Sequence, residues 1–204
     1  MQVLKLVETY SPQILKNIPI IGPLLDHGGS NGEIFSINND TDKVIKLSAI
    51  VGTYDQEKKL DIDYEHIETV LDFIIINKPI AYMSVFDYKY LISIFDEKKQ
   101  SGYIIYYYTM KKLNKTSSDE RKVFHSVLSH EDNNIKKRFP LRKLKNVLGG
   151  LATALDFDMA KVLLFCKQIN ECLLIHNDIH PRNIMKDNDG NFKLIDIDSC
   201  TFNK

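Results

Sequence analysis

At 204 residues the chain can bury one sizeable core or two smaller ones, and its 27 basic residues balance 27 acidic ones, which excludes a global charge attraction to nucleic acid or an anionic membrane. Cys166, Cys172 and Cys200 are odd in number and lack CxxC spacing, so they support neither a disulfide framework nor a zinc site and fit a reducing cytoplasm. The opening "MQVLKLVETYSPQ" has no basic-then-apolar export signal, and "IPIIGPLL" is short and broken by prolines; the expectation is a soluble, cytoplasmic protein without membrane contact.

The first patterned stretch is "HGGSNGEIF", where Gly29 and Gly32 take the second and third places of G-x-G-x-x-G and His27 stands at the first. In a dinucleotide-binding unit such glycines open a helix. Here they run into the β-prone "EIFSI", which favours a hairpin covering phosphates. "EIFSINNDTDKVIKL" reads as two strands around an Asn/Asp/Thr turn, and strand alternation puts Val44 and Lys46 on one face and Ile45 and Leu47 on the other. An amphipathic helix follows, with Ile67, Val70, Leu71, Ile74 and Ile75 at i, i+3, i+4, i+7 and i+8 and Pro79 beyond its end. "IAYMSVFDYKYLISIF" and "SGYIIYYYTM" are rich in β-branched and aromatic residues and complete an antiparallel sheet, with Tyr106, Tyr107 and Tyr108 packing a strand.

After Met110 the character changes. "KKLNKTSSDERK" is expected to be a polar connector, and from Lys111 to Lys145 eleven basic residues stand against four acidic ones, a solvated face first and a phosphate-rich partner second. Leu155, Met159, Val162, Leu163, Cys166 and Ile169 form a second helical stripe. "NIMK" and "FKLIDI" read as short strands joined by the Asp-Gly turn of "DNDGN". A sheet lobe, a polar hinge and a helical lobe together imply a cleft.

Between the stripe and those strands lies "HNDIHPRN", which fits H-x-D-x-x-x-x-N. The pattern resembles the catalytic loop of protein kinases, and that resemblance implies a carboxylate, Asp178, brought to an acceptor hydroxyl while the amide oxygen of Asn183 faces Mg²⁺, with Asp196 at the end of the next β run adding a charged ligand. The alternative is an Asp and an Asn capping each other in a turn. His176 is expected to support the loop through a backbone hydrogen bond, and His125 and His130 to be solvated helix positions.

In this order the parts resemble the protein-kinase-like superfamily over roughly residues 25 to 200. The resemblance implies an α+β bilobal fold with an N-lobe over about 1–110, a hinge over about 107–113 and a reduced helical C-lobe over about 114–204. It also implies ATP and Mg²⁺ as cofactors. Gly29, Gly32, Ile34, Val44, Lys46 and Met110 would hold the nucleotide, and Lys46 would pair with Glu65 of the first helix, Glu68 being the alternative. Asp178 would be the base and Asn183 and Asp196 the metal ligands, with Asp198 the alternative to Asp196. His180-Pro181 and Asp198 in place of the DFG glycine are similar to aminoglycoside and choline kinases and to atypical microbial or viral kinases. Only eight residues follow Asp196, too few for an activation segment or a substrate-enclosing subdomain, and on that ground a protein Ser/Thr acceptor is expected. A small-molecule acceptor and an inactive pseudokinase are the alternatives. Nucleic acid is not an expected partner.

Overall fold

The computed structural model describes residues 2–19, 21–26, 32–53, 64–96, 101–129 and 141–202. They fall into two compact units, the first of residues 1–76 and 84–112, the second of residues 77–83 and 113–204.

The first unit begins with helix α1 (Val3–Tyr10) and a 3₁₀ helix (Pro12–Asn17), followed by β1 (Ile21–Asp26), β2 (Gly32–Ile37), β3 (Asp40–Thr53), α2 (Tyr64–Asn77), β4 (Val85–Asp96) and β5 (Ser101–Lys111). The strands form a five-stranded antiparallel sheet in the order β1-β2-β3-β5-β4. The β2–β3 hairpin turns at Asn38-Asn39, with Asn39 at φ 65° and the Asp40 carboxylate accepting from the amides of Asp42 and Lys43, as the Asn/Asp/Thr cluster predicts. β1 had no strand signal because it carries Gly22 and Pro23; it is an edge strand with bulges, the place where a sheet tolerates proline.

One face of the sheet carries Phe35, Ile45, Leu47, Ala49, Ile105 and Tyr107, which pack with Val3 and Val7 of α1 into the unit's apolar cluster. α1 is held there by an unforeseen contact: Glu33, 4% exposed, accepts the backbone N–H of Leu4 at 2.7 Å and satisfies an amide of the helix's first turn. On α2, Ile67, Val70, Leu71 and Ile74 are buried, as the stripe predicts, and Tyr64 extends it, its ring 5.9 Å from Tyr106 and 5.4 Å from Tyr90. Tyr88 donates to Asp72 at 2.9 Å, tying α2 to β4. The helix ends at Asn77, and Lys78, left-handed at φ 46°, follows it just before Pro79.

The second unit contains β6 (Asn114–Lys115), α3 (Ser118–Ser129), α4 (Leu141–Leu151), α5 (Met159–Glu171), β7 (Leu174–His176), a 3₁₀ turn (Pro181–Asn183), β8 (Ile184–Lys186), β9 (Phe192–Leu194), a second 3₁₀ turn (Ile197–Ser199) and β10 (Cys200–Phe202). The polar connector is shorter than expected. Ser117 and Glu120 form a reciprocal capping box, Glu120 Oε2 accepting from the Ser117 amide and Ser117 Oγ from the Glu120 amide, and this starts α3 inside "SSDERK". Phe124, Phe165 and Phe192 meet edge to face or tilted at 5.0–5.8 Å and bring α3, α5 and β9 together.

Residues 77–83 join this unit although they lie between two elements of the first. Tyr82 bridges Leu194 in parallel, the Leu194 amide donates to the Ala81 carbonyl, the Met83 amide donates to the Leu194 carbonyl, and the Tyr82 hydroxyl donates to the Leu174 carbonyl. The fold is thus α+β with a five-stranded antiparallel sheet. Among the described residues no helix is long and apolar enough to cross a membrane.

Candidate functional site

In the first unit the predicted nucleotide residues gather on the sheet face opposite the α1 cluster. Lys46 pairs in register with Ile34 on one side and Tyr108 on the other, and Val44 with Ser36 and Met110, so Ile34, Val44, Lys46 and Met110 share that face. Lys46 is 3% exposed, with its ammonium 5.6 Å from the Tyr108 ring centre. A buried ammonium flanked by Val44 and Met110 joins a fixed charge to an apolar wall.

Gly32 stands at the start of a strand, and its lack of a side chain has a steric consequence there. It opens β2 opposite Ser48, and a Cβ there would lie 2.7 Å from Lys46 Cε, so the missing side chain is what lets Lys46 cross it. Gly29 lies outside the described residues. Glu65 is exposed in the first turn of α2, and its carboxylate joins no ion pair among the described residues. The cause is helical register: Tyr64 continues the buried stripe of Ile67, Leu71 and Ile74, which turns Glu65 about 100° away from it. Glu68 is half-buried; burial first, and then the Glu68 charge, push the Tyr64 phenol well above its ordinary pKa.

In the second unit the loop between β7 and β8 brings its polar groups into one network. Asn183, 6% exposed, donates through Nδ2 to the Asp178 carbonyl at 3.0 Å and to Asp178 Oδ2 at 3.2 Å. His180 caps the 3₁₀ turn, its Nδ1 accepting from the Arg182 amide at 3.1 Å, while its Nε2 lies 3.5 Å from Asp178 Oδ2. His176 is fully buried and supports the loop as expected. Its Nδ1 accepts from the Asp178 amide at 3.2 Å, which makes Nε2 the protonated nitrogen that donates to the Ile195 carbonyl at 2.7 Å. Burial holds its pKa below the ordinary histidine value, despite the Ile195 carbonyl and the Asp196 and Asp178 charges acting the other way.

The Ile195 amide in turn donates to the Asn183 carbonyl at 2.9 Å, so Ile195 is pinned to the loop on both sides. Asp196 follows it directly. Its position differs from the expected strand end: β9 stops at Leu194, Asp196 takes the left-handed conformation at φ 62° and ψ 57°, and Asp198 sits inside the following 3₁₀ turn. The two aspartates therefore do not share a strand face. A non-glycine residue in that conformation is sterically costly, and such residues concentrate at functional sites.

Beside the loop lies an open cavity of about 610 Å³, lined on the α3 side by Arg121, Lys122 and His125 and on the loop side by His180, Pro181 and Arg182. The basic count over 111–145 and the His180-Pro181 pair each mark one wall of it in the sequence, but the two walls come from distant segments and only the fold brings them together.

No family model and no curated protein sequence matches the chain. Solved structures similar to it include WbdD, 16% identical at a TM-score of 0.42 over 90% of this chain and 34% of that one. A co-crystal of WbdD with the kinase inhibitor LY294002 is also similar, 16% identical at 0.35 over 89% and 33%. The chain spans about a third of the length of these neighbours.

Proposed function

We propose that the chain is an ATP- and Mg²⁺-dependent phosphotransferase of kinase-like fold that phosphorylates an alcohol, with serine or threonine of a protein as the acceptor. The observation that carries this is the Asp178–Asn183 network. A carboxylate oriented by a buried amide, on a loop fastened through His176 and Ile195 to Asp196, is what in-line transfer to a hydroxyl needs, since catalysis of that transfer is mainly positioning and charge.

The donor set fits Mg²⁺. Asn183 spends its NH₂ on Asp178, its Oδ1 accepts no hydrogen bond among the described residues, and Asp196 adds a carboxylate one residue from the pinned Ile195. Among the described residues no three His, Cys, Asp or Glu cluster as a metal site, but Mg²⁺ shared with phosphate oxygens and water needs only one or two protein oxygens. Asn183 and Asp196 would hold the ion, which would supply positive charge to the phosphates. Asp178 takes the proton of the acceptor hydroxyl as that oxygen bonds the γ-phosphorus and the bond to ADP breaks. On the first unit, Lys46 supplies charge for the nucleotide phosphates, and Ile34, Val44 and Met110 an apolar wall for its base.

In the Asp178→Asn variant, turnover is expected to fall by roughly two orders of magnitude or more while Mg-ATP affinity is nearly kept. Unchanged turnover removes Asp178 from the chemistry. Mass spectrometry after incubation with Mg-ATP and cell proteins should find phosphoserine or phosphothreonine that the variant does not make; a low-molecular-weight phosphorylated product alone would assign a small-molecule acceptor.

A further inference from the structure

The cavity beside the catalytic loop has a definite chemistry. Of its seven lining residues, Arg121, Lys122 and Arg182 are cations, His125 and His180 are imidazoles, Ser118 and Pro181 are neutral, and none is a carboxylate. Among the described residues, two carboxylates pair with this lining. Asp119 pairs with Lys122 at 2.9 Å and offsets that one charge, and Asp178 lies 3.5 Å from His180. The Arg121 Nε donates to the Ser117 carbonyl at 3.4 Å, a long bond from an exposed side chain, and Arg182 stands on the 3₁₀ turn that the His180 ring caps. Two arginines on anchored backbone, presenting planar donors to one open space, match a phosphate group better than any neutral ligand.

Neither Asn183 nor Asp196 lines this cavity, so it is distinct from the pair assigned to Mg²⁺. His180 belongs to its lining, and the His180 Nε2 lies 3.5 Å from the Asp178 carboxylate. An anion seated there lies one side chain away from the group that receives the acceptor's proton.

We infer that this cavity is an acceptor subsite for an anion, and that the alcohol phosphorylated at Asp178 already bears a phosphate group, held by Arg121, Arg182 and the histidines. This deepens the phosphotransferase reading and rests on it for the word acceptor; the anion site itself does not depend on it. The same phosphate could arrive on a phosphorylated protein segment or on a small phosphorylated alcohol.

The test is calorimetric titration of the full chain with two matched pairs of probes: a serine peptide carrying one phosphoserine against its unphosphorylated twin, and glycerol 3-phosphate against glycerol. At least one phosphorylated probe should bind roughly tenfold or more tighter than its twin, the gain should shrink as KCl is raised, and the Arg121→Gln/Arg182→Gln pair should abolish it. Which pair shows the gain identifies the source. Both arginines are exposed, and an unchanged melting curve confirms that the double variant folds; should it not fold, Arg182→Gln alone must reduce the gain. No gain in either pair, or a gain that survives the arginine changes, overturns the inference. So does competition between Mg-ATP and the phosphorylated probe, which would make the cavity the nucleotide's own seat. Failure of Mg-ATP to bind, with the gain intact, would instead remove the kinase reading and leave the anion site standing.

Discussion

His176 holds one ring nitrogen as acceptor and the other as donor, and protonation destroys that arrangement because an imidazolium cannot accept from the Asp178 amide. The unfolded imidazole titrates near 6.5 and the folded one lower, because burial disfavours its charged form. In the interval between those values the unfolded chain binds more protons. The stability His176 contributes is therefore complete above about pH 6.5 and is lost as the pH falls through the interval. Urea midpoints measured from about pH 7.5 to 5 should decline in the native chain and decline less in His176→Asn. Gly32 gives a second prediction at this scale. In Gly32→Ala the new methyl must displace the end of Lys46, which should weaken Mg-ATP binding several-fold for a stability loss of only about 1 kcal/mol. Equal Mg-ATP affinities in the two proteins would show that the position of Lys46 does not matter to the nucleotide.

Among elements, α1 depends on a residue from another strand. Replacing Glu33 by Ala leaves a first-turn amide of α1 without its partner and should cost about 1–2 kcal/mol, read as a shift in urea midpoint. The β8–β9 turn is the second case. Gly190 has φ 75°, and an added Cβ would lie 3.0 Å from Lys161 Nζ, whose bond to the Asp189 carbonyl fixes it there; Gly190→Ala should lose about 1 kcal/mol. Sequence patterning reached the elements whose cause is local. The β2–β3 hairpin, α2 and the β8–β9 turn each carry their own periodicity or turn residues, and the shared face of Val44 and Lys46 follows from alternation alone. α5 keeps Val162, Cys166 and Ile169 of its predicted stripe, while Leu155 precedes the helix, Met159 is exposed and Phe165 is buried in their stead. It missed what is set from a distance: the capture of α1 by Glu33, and the edge strand β1 with its proline. The break at Asp196 belongs with these, because "FKLIDI" is locally β-prone and the contacts of Ile195 with Asn183 and His176 end the strand.

Across the whole molecule, the two units exchange chain: residues 77–83 leave the first, complete the second and return. The stretch 113–204 made alone would lack the contacts of Leu194 with Ala81 and Met83 and the bond of the Lys193 ammonium to the Ile80 carbonyl, and would leave the Tyr82 site empty. Its thermal melting followed by circular dichroism should be broad. Joining residues 77–83 to it through a Gly/Ser linker should sharpen the transition, and a sharp transition without them would show that the segment is dispensable. The same exchange sets a timetable at the ribosome. Ile80 is separated from Lys193 by 113 residues, and Tyr82 from Leu174 by 92, so this short stretch emerges long before the groups that hold it are translated. Nascent chains stalled before Leu174 should be cut by protease around residues 77–83, and chains released after Leu194 should resist, because the second unit closes on a stretch made about a hundred residues earlier.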